Sequence, residues 1–478
     1  MKAILIAFAL GFNYFVGFYF GVVSVLYTVL LTIALFVVLR HIRRIKYEPF
    51  REYSRSPQTP SISILIPAYN EERVIVRTIR AALAVDYPLF EIIVINDGSE
   101  DGTLETVIST FNLKKIDLVY RNFLHTMPAK GFYSNPDIPN LIIVDKDRSG
   151  KADALNCGIT VSRSAYFCSV DADSLLEKDS LIKLMTPNME SSVPVIACGG
   201  VVRILNGVTL KDTVIKEIDL PRKALPLFQV VEYARTFLFG RMGWNALNSL
   251  LILSGTFSLF NKAIVVEIGG YRKGNTSEDM EIIVRLHERY LRRGKPYRIA
   301  FISEPICWTE VPESVKMLGR QRRRWHLGLL QTLCQHKSMI FNPKYGRMGM
   351  LVLPYYLFFE TLGPVVELVG YVTVVCSYLL GLISSDFLLL FLTLAIFYGT
   401  FLSTSGVFLA ELTYRRYPKW SHLRRMLWYA VLENFCYRQM NAFWRTQALV
   451  QFLMGRTAWE PVADKGNSYS GKVVHDEP

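Results

Sequence analysis

The chain has 478 residues, of which 51% are hydrophobic, 13% aromatic and only 20% charged, with a mean hydropathy of +0.24. That balance excludes an ordinary soluble protein and implies two or three structural units. The 54 Lys and Arg outnumber the 41 Asp and Glu, a net charge of +13 that points to nucleic acid, an acidic membrane face or an anionic substrate. Cys157, Cys168, Cys198, Cys307, Cys334, Cys376 and Cys436 fall at no metal-ligand spacing and suggest no disulfide framework, which implies a reducing compartment.

The first element is apolar. Residues 3–39 carry no charged side chain, a run longer than the roughly 20 residues a membrane span needs. It ends in Arg40, His41, Arg43, Arg44 and Lys46 rather than in small residues, so it reads as a retained anchor and not a cleaved signal peptide. Residues 14–39 are expected to form one span with 3–12 as a lead-in; two spans with a tight turn at 11–17 is the alternative. The basic cluster places the middle of the chain in the cytoplasm.

Residues 60–340 alternate short β-branched runs (62–66, 92–95, 141–144 and 166–170) with helical stretches, the pattern of a mostly parallel sheet with crossover helices in an α/β domain. The stretch 121–139 reads as an ordered surface insertion. The expected organisation is a membrane segment over 1–45, an α/β domain over 46–345, transmembrane and interfacial helices over 346–460 and a disordered tail over 461–478.

Open α/β sheets bind ligands beyond the carboxyl ends of their strands, so the residues after each apolar run are the ones to read for chemistry. The first run continues into Pro67-Ala68-Tyr69-Asn70-Glu71-Glu72, the second into Asn96-Asp97-Gly98-Ser99 and the fourth into Asp171-Ala172-Asp173-Ser174. Two carboxylates one residue apart at a strand end can share a hard divalent cation and leave its other positions to water and phosphate oxygens. That suggests Mg2+ or Mn2+ holding a nucleotide diphosphate; the competing reading is that each acid caps the following helix. Glu278 and Asp279 precede a helical run that stops before Gly294. With Ser277 as N-cap and both acids at the positive end of the helix, capping alone explains them. Against that stands the sheet-like run 251–257, whose small residues suit close backbone approach to a ligand.

Within a helical pattern over 314–333, Gln321, Arg324 and Trp325 share one face while Arg322 and Arg323 point elsewhere. Arginine grips phosphate oxygens and an indole stacks on a sugar or base. The alternative is a basic helix on anionic headgroups or RNA, and no RNA-recognition pattern accompanies it. Candidate spans come next at 361–383 and 387–410, joined by the uncharged-to-acidic Ser384, Ser385 and Asp386; the next linker holds Arg415, Arg416, Lys419, Arg424 and Arg425, which again sets the middle of the chain inside. Residues 426–455 suit a channel-lining span, a re-entrant segment or an amphipathic surface helix. Glu360 and Glu367, seven residues apart, are expected on one helix face, toward a polar path or the interface.

Taken in order, PAYNEE at 67–72, NDGS at 96–99, GKADALN at 150–156, DAD at 171–173, SED at 277–279 and QRRRW at 321–325 resemble the motifs of the membrane-embedded members of glycosyltransferase family 2, the group of cellulose, hyaluronan, chitin and poly-N-acetylglucosamine synthases. The likeness covers residues 60–335. Ser277 stands where that family usually has Thr or Gly, and Asn96 where it usually has an acid.

The resemblance implies a glycosyltransferase A-type nucleotide-sugar domain flanked by transmembrane helices. Tyr69, Glu71 and Asp97 would hold the uridine, Lys151 would sit by the nucleotide, and Asp171 and Asp173 would bind the diphosphate and its Mg2+ or Mn2+. Asp279, next to Glu278, would be the general base of an inverting transfer; Gln321, Arg324 and Trp325 would serve the leaving group and the acceptor sugar. The implied activity is polymerisation of a UDP-hexose or UDP-N-acetylhexosamine into a β-linked polysaccharide and its export through the plasma membrane, from a multi-pass protein with a cytoplasmic catalytic domain. Implied partners are the UDP-sugar, a growing glycan or lipid acceptor, the bilayer, and a second copy or an accessory export protein, with no nucleic acid. The alternatives are single-sugar transfer to a lipid acceptor and a non-catalytic membrane scaffold.

Overall fold

The apolar runs of the middle of the chain become strands of one ten-stranded sheet in the computed structural model, which describes residues 2–45, 56, 58–211, 214–414, 417, 419–456 and 473–474. The strands are β1 (Ile62–Ala68), β2 (Phe90–Asp97), β3 (Lys114–Ile116), β4 (Ala129–Asn135), β5 (Ile138–Lys146), β6 (Tyr166–Val170), β7 (Leu175–Leu176), β8 (Val195–Ile204), β9 (Thr209–Lys211), β10 (Val214–Glu217), β11 (Phe257–Asn261) and β12 (Arg298–Thr309). Their order is β3-β4-β5-β2-β1-β6-β11-β8-β12-β7, and β9 and β10 pair separately.

The centre, β5-β2-β1-β6, is parallel, and β1 is buried at six of its seven positions. Helices cover both faces of a parallel sheet, so its strands read as continuous apolar runs. Toward either flank the pairing turns antiparallel, at β5 with β4 and at β6 with β11. The stretch 121–139 is therefore no insertion over its whole length: β4 lies in it, and β5 begins at Ile138 before the apolar run becomes visible. The run 251–257 is likewise mostly not strand. Ser254 and Gly255 interrupt it, the Thr256 N–H donating to the Ser254 hydroxyl at 3.2 Å, and β11 starts only at Phe257.

Parallel β1, β2, β5 and β6 bring residues 68, 97, 146 and 170 to one edge of the sheet, and β11 begins there because Phe257 lies opposite Val170. Helix Lys151–Val161 seats closely on β1 and β2, where a Cβ at Gly158 would stand 3.0 Å from Ile95 and 3.1 Å from Leu65. Helix Glu278–Arg293 ends on Gly294 in the left-handed conformation, as the sequence predicts.

The chain divides into two compact units, one of Ile42–Asp219, Leu247–Val311 and Asp464–Pro478 and the other of Met1–His41, Leu220–Ala246 and Pro312–Ala463. The first holds the sheet. In the second, residues 220–246 and 312–345 group with the apolar helices and not with the α/β layers that flank them in sequence. Helix Lys2–Ile45 is continuous, which removes the two-span alternative. Among the described residues two helices, Ala9–Arg40 and Ser385–Thr413, are long and apolar enough to cross a membrane; Met348–Thr361 and Gly363–Leu379, bent by 40° at their junction, make a third if counted together. The stretch 426–455 is not one element: helices Trp420–Leu432 and Tyr437–Leu453 flank a turn, each shorter than the roughly 20 residues of a span. Glu360 and Glu367 lie on either side of the bend and face arginines of Tyr437–Leu453, Glu360 with Arg445 at 2.9 Å and Glu367 with Arg438 at 2.8 Å. Lys46, Arg415 and Arg416 fall outside the described residues, as does the tail apart from Val473–Val474, which lies beside β9.

Candidate active site

At the edge where the parallel strands end, the loop after β1 is tied to the loop after β2. Asn70 adopts a positive φ of 55°; its N–H donates to the Ser99 hydroxyl at 3.1 Å and its side-chain carbonyl accepts from the Glu100 N–H at 2.8 Å. The Glu71 N–H donates to the Thr103 hydroxyl at 2.8 Å, so Glu71 is held half-buried beside the second loop. The ring of Tyr69 is covered by the Arg148 guanidinium, 4.1 Å from its centroid.

Asp97 is 4% exposed. One carboxylate oxygen accepts from Lys146 Nζ at 2.9 Å and from the Ser149 N–H at 3.0 Å, and the other from the Gly150 N–H at 2.7 Å. The acid therefore serves the start of helix Lys151–Val161 and not the helix next to it in sequence, whose Thr103 N–H is taken by Asp101 at 3.0 Å. Lys146 has no exposed surface and also bonds the equally buried Asp153 at 3.1 Å, to which Lys273 reaches from the next loop. Burial works to raise the Asp153 pKa, but the bonds from Lys273, Ser149 and Lys146 hold it below the usual carboxylate value.

The second cluster is more open. Lys151 Nζ lies 2.6 Å from Asp171 Oδ1 and 3.3 Å from Glu278 Oε1, with Lys151 and Asp171 each about a third exposed. It also donates to the Gly255 carbonyl at 3.2 Å. Asp279 packs on that same glycine, and a Cβ there would stand 2.9 Å from Asp279 Oδ2. Burial disfavours the ammonium, yet Asp171 and then Glu278 and Asp279 hold the Lys151 pKa well above the ordinary lysine value. Asp171 is fixed by its N–H donating to Thr256 O at 3.1 Å, and Ala172 O accepts from the Thr78 hydroxyl at 2.6 Å, so helix Ile75–Leu83 supports the loop that carries Asp171 and Asp173.

Ser277 occupies the N-cap position but its side chain caps nothing; Asn275 Oδ1 accepts from the Ser277 N–H at 2.8 Å instead. The loop before this helix is clamped by Asn156, which exchanges bonds of 2.8 and 2.7 Å with the Tyr271 backbone. Gly270, at φ 72°, lies so close that a Cβ would stand 2.3 Å from Asn156 Oδ1. From the helix side, Arg285 donates to Ile268 O and Gly270 O at 2.7 and 2.6 Å and to the fully buried Glu281 at 2.8 Å.

Asp171, Asp173, Lys151, Glu278 and Asp279 thus belong to one end of one sheet. Among the described residues no three His, Cys, Asp or Glu side chains form a metal cage. Asp171 and Asp173 fit a cation that takes two protein carboxylates and finds its other ligands in phosphate and water.

Gln321, Arg324 and Trp325 lie in the other unit, on helix Val315–Gln335. Arg324 and Trp325 are exposed and Gln321 is half-buried. Arg322 is the buried member: it donates to Glu232 at 2.7 Å and to the Tyr437 hydroxyl at 3.3 Å, and its guanidinium lies 4.3 Å from the Trp325 ring centroid. One face of Trp325 is therefore already covered. Arg323 bonds Gln447 at 3.1 Å.

Lys146, Ser149 and Lys273 take part in these arrangements although no sequence motif points to their roles, while Asn156 ends the GKADALN motif and Gly255 lies in the small-residue run 251–257 without either position revealing its contact. The signal for Lys146 is register: it lies beside Asp97 in the β2-β5 pairing.

Comparison with known proteins gives the family. The model of "Glycosyl transferase family group 2" matches residues 166–432 and that of "Glycosyl transferase family 2" matches residues 63–123. The chain is 30% identical over 268 residues to poly-beta-1,6-N-acetyl-D-glucosamine synthase of Staphylococcus aureus, covering 56% of this chain and 54% of that protein. To the Staphylococcus epidermidis protein of the same name it is 28% identical over 288 residues, 59% of each. The chain thus spans little more than half the length of these relatives. Among solved structures it is similar to the mannosyltransferase PcManGT from Pyrobaculum calidifontis in complex with GDP-Man and Mn2+, with a TM-score of 0.46 and 18% identity over 85% of this chain and 99% of that one. The family models together run through the strand-end carboxylates and on past the Gln321–Trp325 motif, covering more than half of the sequence, and the chain belongs to glycosyl transferase family group 2.

Proposed function

We propose that the protein is a membrane-bound inverting glycosyltransferase that builds a β-linked polysaccharide from a UDP-sugar and passes it across the plasma membrane, with its catalytic domain in the cytoplasm. N-acetylglucosamine is the inferred donor sugar, on the strength of what the Staphylococcus relatives are named for. The observation that carries the reading is Lys151 shared between Asp171 and Glu278, with Asp279 against Gly255 beside them.

In this reading Asp279 takes the proton of the acceptor hydroxyl as that oxygen attacks the anomeric carbon. The bond to UDP breaks on the opposite face and the configuration inverts. Such base catalysis is worth about 10²–10⁴-fold. Glu278 keeps Lys151 charged and directed, and Lys151 presents a fixed cation to the diphosphate. Asp171 and Asp173 are the side chains that would hold Mg2+ or Mn2+, whose contribution is to neutralise charge on the departing diphosphate. Tyr69 and Glu71 are assigned to the uridine, with Asp97 holding the loop 149–150 beside them. Gln321, Arg324 and Trp325 are assigned to the leaving group and acceptor, on their motif and on the exposure of the last two.

The test is incubation of the purified full chain with radiolabelled UDP-sugars, glucose, N-acetylglucosamine, glucuronate and galactose derivatives in turn, with products separated by size. Long chains from UDP-N-acetylglucosamine are expected. A second reading, one sugar added to a lipid acceptor, is favoured by the small number of candidate spans among the described residues, two or three, which makes a channel dependent on a second copy or an accessory protein; single-sugar adducts would establish it. UDP binding with no turnover would defeat both.

A further inference from the structure

A groove of about 840 Å³ lies between helix Trp420–Leu432 and the candidate span Ser385–Thr413, all within one unit. Its chemistry changes along the helix. Ser421, Arg424 and Arg425 line it from the first half of Trp420–Leu432, and Leu427, Trp428 and Val431 from the second, with Phe408 contributed by the span. At a rise of about 1.5 Å per residue, the polar and apolar ends are separated by on the order of 10 Å.

Three observations say what it takes. Among the described residues between Glu411 and Glu433 the charged side chains are Lys419, Arg424 and Arg425, all cationic, so this stretch favours an anion. Arg425 is partly committed, donating to the Pro221 and Arg222 carbonyls at 2.9 and 3.0 Å. Arg424 is exposed and forms no hydrogen bond or ion pair with the described residues. The apolar walls are also uncovered: Phe408 is 47% and Trp428 61% exposed, and Trp420 at the start of the helix is 84% exposed. Exposed tryptophans beside arginines at the end of an apolar helix are the composition of a membrane-water boundary.

We propose that this groove holds one anionic phospholipid, its phosphate on Arg424 and the start of an acyl chain along Leu427, Trp428, Val431 and Phe408. The site is distinct from the sugar-nucleotide chemistry, shares no residue with it and ties the protein to the acidic leaflet through helix Trp420–Leu432. A cationic side chain near such a surface changes the affinity about fivefold.

The test is native mass spectrometry of the full chain in detergent, titrated with phosphatidylglycerol or with phosphatidylcholine of the same acyl chains. One phosphatidylglycerol is expected to be retained in preference. Arg424→Gln should lose about fivefold of that retention, Arg424→Lys should keep most of it, and Trp428→Ser should weaken both lipids together. Equal retention of the two lipids by the wild type, an undiminished preference in Arg424→Gln, or displacement of phosphatidylglycerol by inorganic phosphate would overturn the proposal. So would a dimeric mass lost in Trp428→Ser, which would show that a second copy covers the groove.

Discussion

Two lysine-carboxylate clusters five residues apart in sequence, around Lys146 and around Lys151, use the same side chains for opposite ends. Around Lys146 the charges match: Lys146 and Lys273 face Asp97 and Asp153, and Lys146 and Asp153 have no exposed surface. Around Lys151 one cation faces Asp171, Glu278 and Asp279, and Lys151 and Asp171 are each about a third exposed. A matched buried cluster leaves nothing for a ligand to neutralise. A cluster with surplus negative charge, reachable from solvent, has a standing demand for cations and their phosphate partners. Asp97 thus holds the loop 149–150 that starts the helix carrying Lys151, while the acids around Lys151 remain available for chemistry.

The sharpest way to break this division is to neutralise one acid from the open cluster. Asp279→Asn should cut transfer by about 10²–10⁴-fold while UDP binding stays within twofold or so, because only the proton acceptor is removed. Asp173→Asn should instead weaken metal-dependent UDP binding. Product assays beside calorimetric UDP titration separate the two; full turnover in Asp279→Asn would defeat the catalytic assignment.

The next largest effect belongs to stability and runs the other way. Lys146→Met leaves two buried carboxylates short of their shared cation, and breaking a buried pair from one side costs about 3–5 kcal/mol. Lys151→Met, at a partly exposed site, should cost ~1 kcal/mol or less. Thermal unfolding of the full chain in detergent, with and without UDP, would expose any failure of this ordering.

The same unit supplies a pH test that bypasses both clusters. His287, buried on helix Glu278–Arg293, shares a hydrogen bond of 2.5 Å with the Tyr297 hydroxyl and one of 2.8 Å with Leu250 O. Burial lowers its pKa to about 4, the bond to the Leu250 carbonyl acting weakly the other way. A depressed folded-state pKa means that the unfolded chain binds the proton first. His287 therefore costs nothing above its ordinary pKa of about 6.5, and stability falls from there down to pH 4, by ~3 kcal/mol in all. His287→Gln should flatten that decline. An unchanged slope would place the acid sensitivity in the carboxylate clusters instead.

How much of this was legible depends on what each residue's neighbours in sequence reveal. Asp97, Asp171 and Asp173 stand out because each ends an apolar run, and strand ends in a parallel sheet share an edge. Lys146 sits in Asp145-Lys146-Asp147-Arg148, which reads as a solvated loop; only the pairing of β2 with β5 turns it inward against Asp97. Gly255 was visible as a small residue, but its contact with Asp279 depends on a turn and a helix start that no local pattern brings together. In the apolar unit, Glu360 and Glu367 are spaced as a helix face, yet a bend falls between them, and their partners Arg445 and Arg438 are set by antiparallel helix packing. Local rules see periodicity and punctuation; register and helix pairing lie beyond them.

The smallest expected effect tests where such a local rule misleads. Ser277 before an acidic first turn has the sequence of an N-cap, and losing a working cap of that kind costs about 1 kcal/mol. Its side chain makes no capping bond, and Asn275 holds the Ser277 N–H instead. Ser277→Ala should therefore shift the unfolding free energy by under ~0.5 kcal/mol, while Asn275→Ala should cost about 1 kcal/mol. Because Glu278 and Asp279 ride on this first turn, Asn275→Ala should also lower the transfer rate, and Ser277→Ala should leave it alone. The reverse order would mean that the hydroxyl does cap the helix, and that the acids of the open cluster are aimed by Ser277 itself.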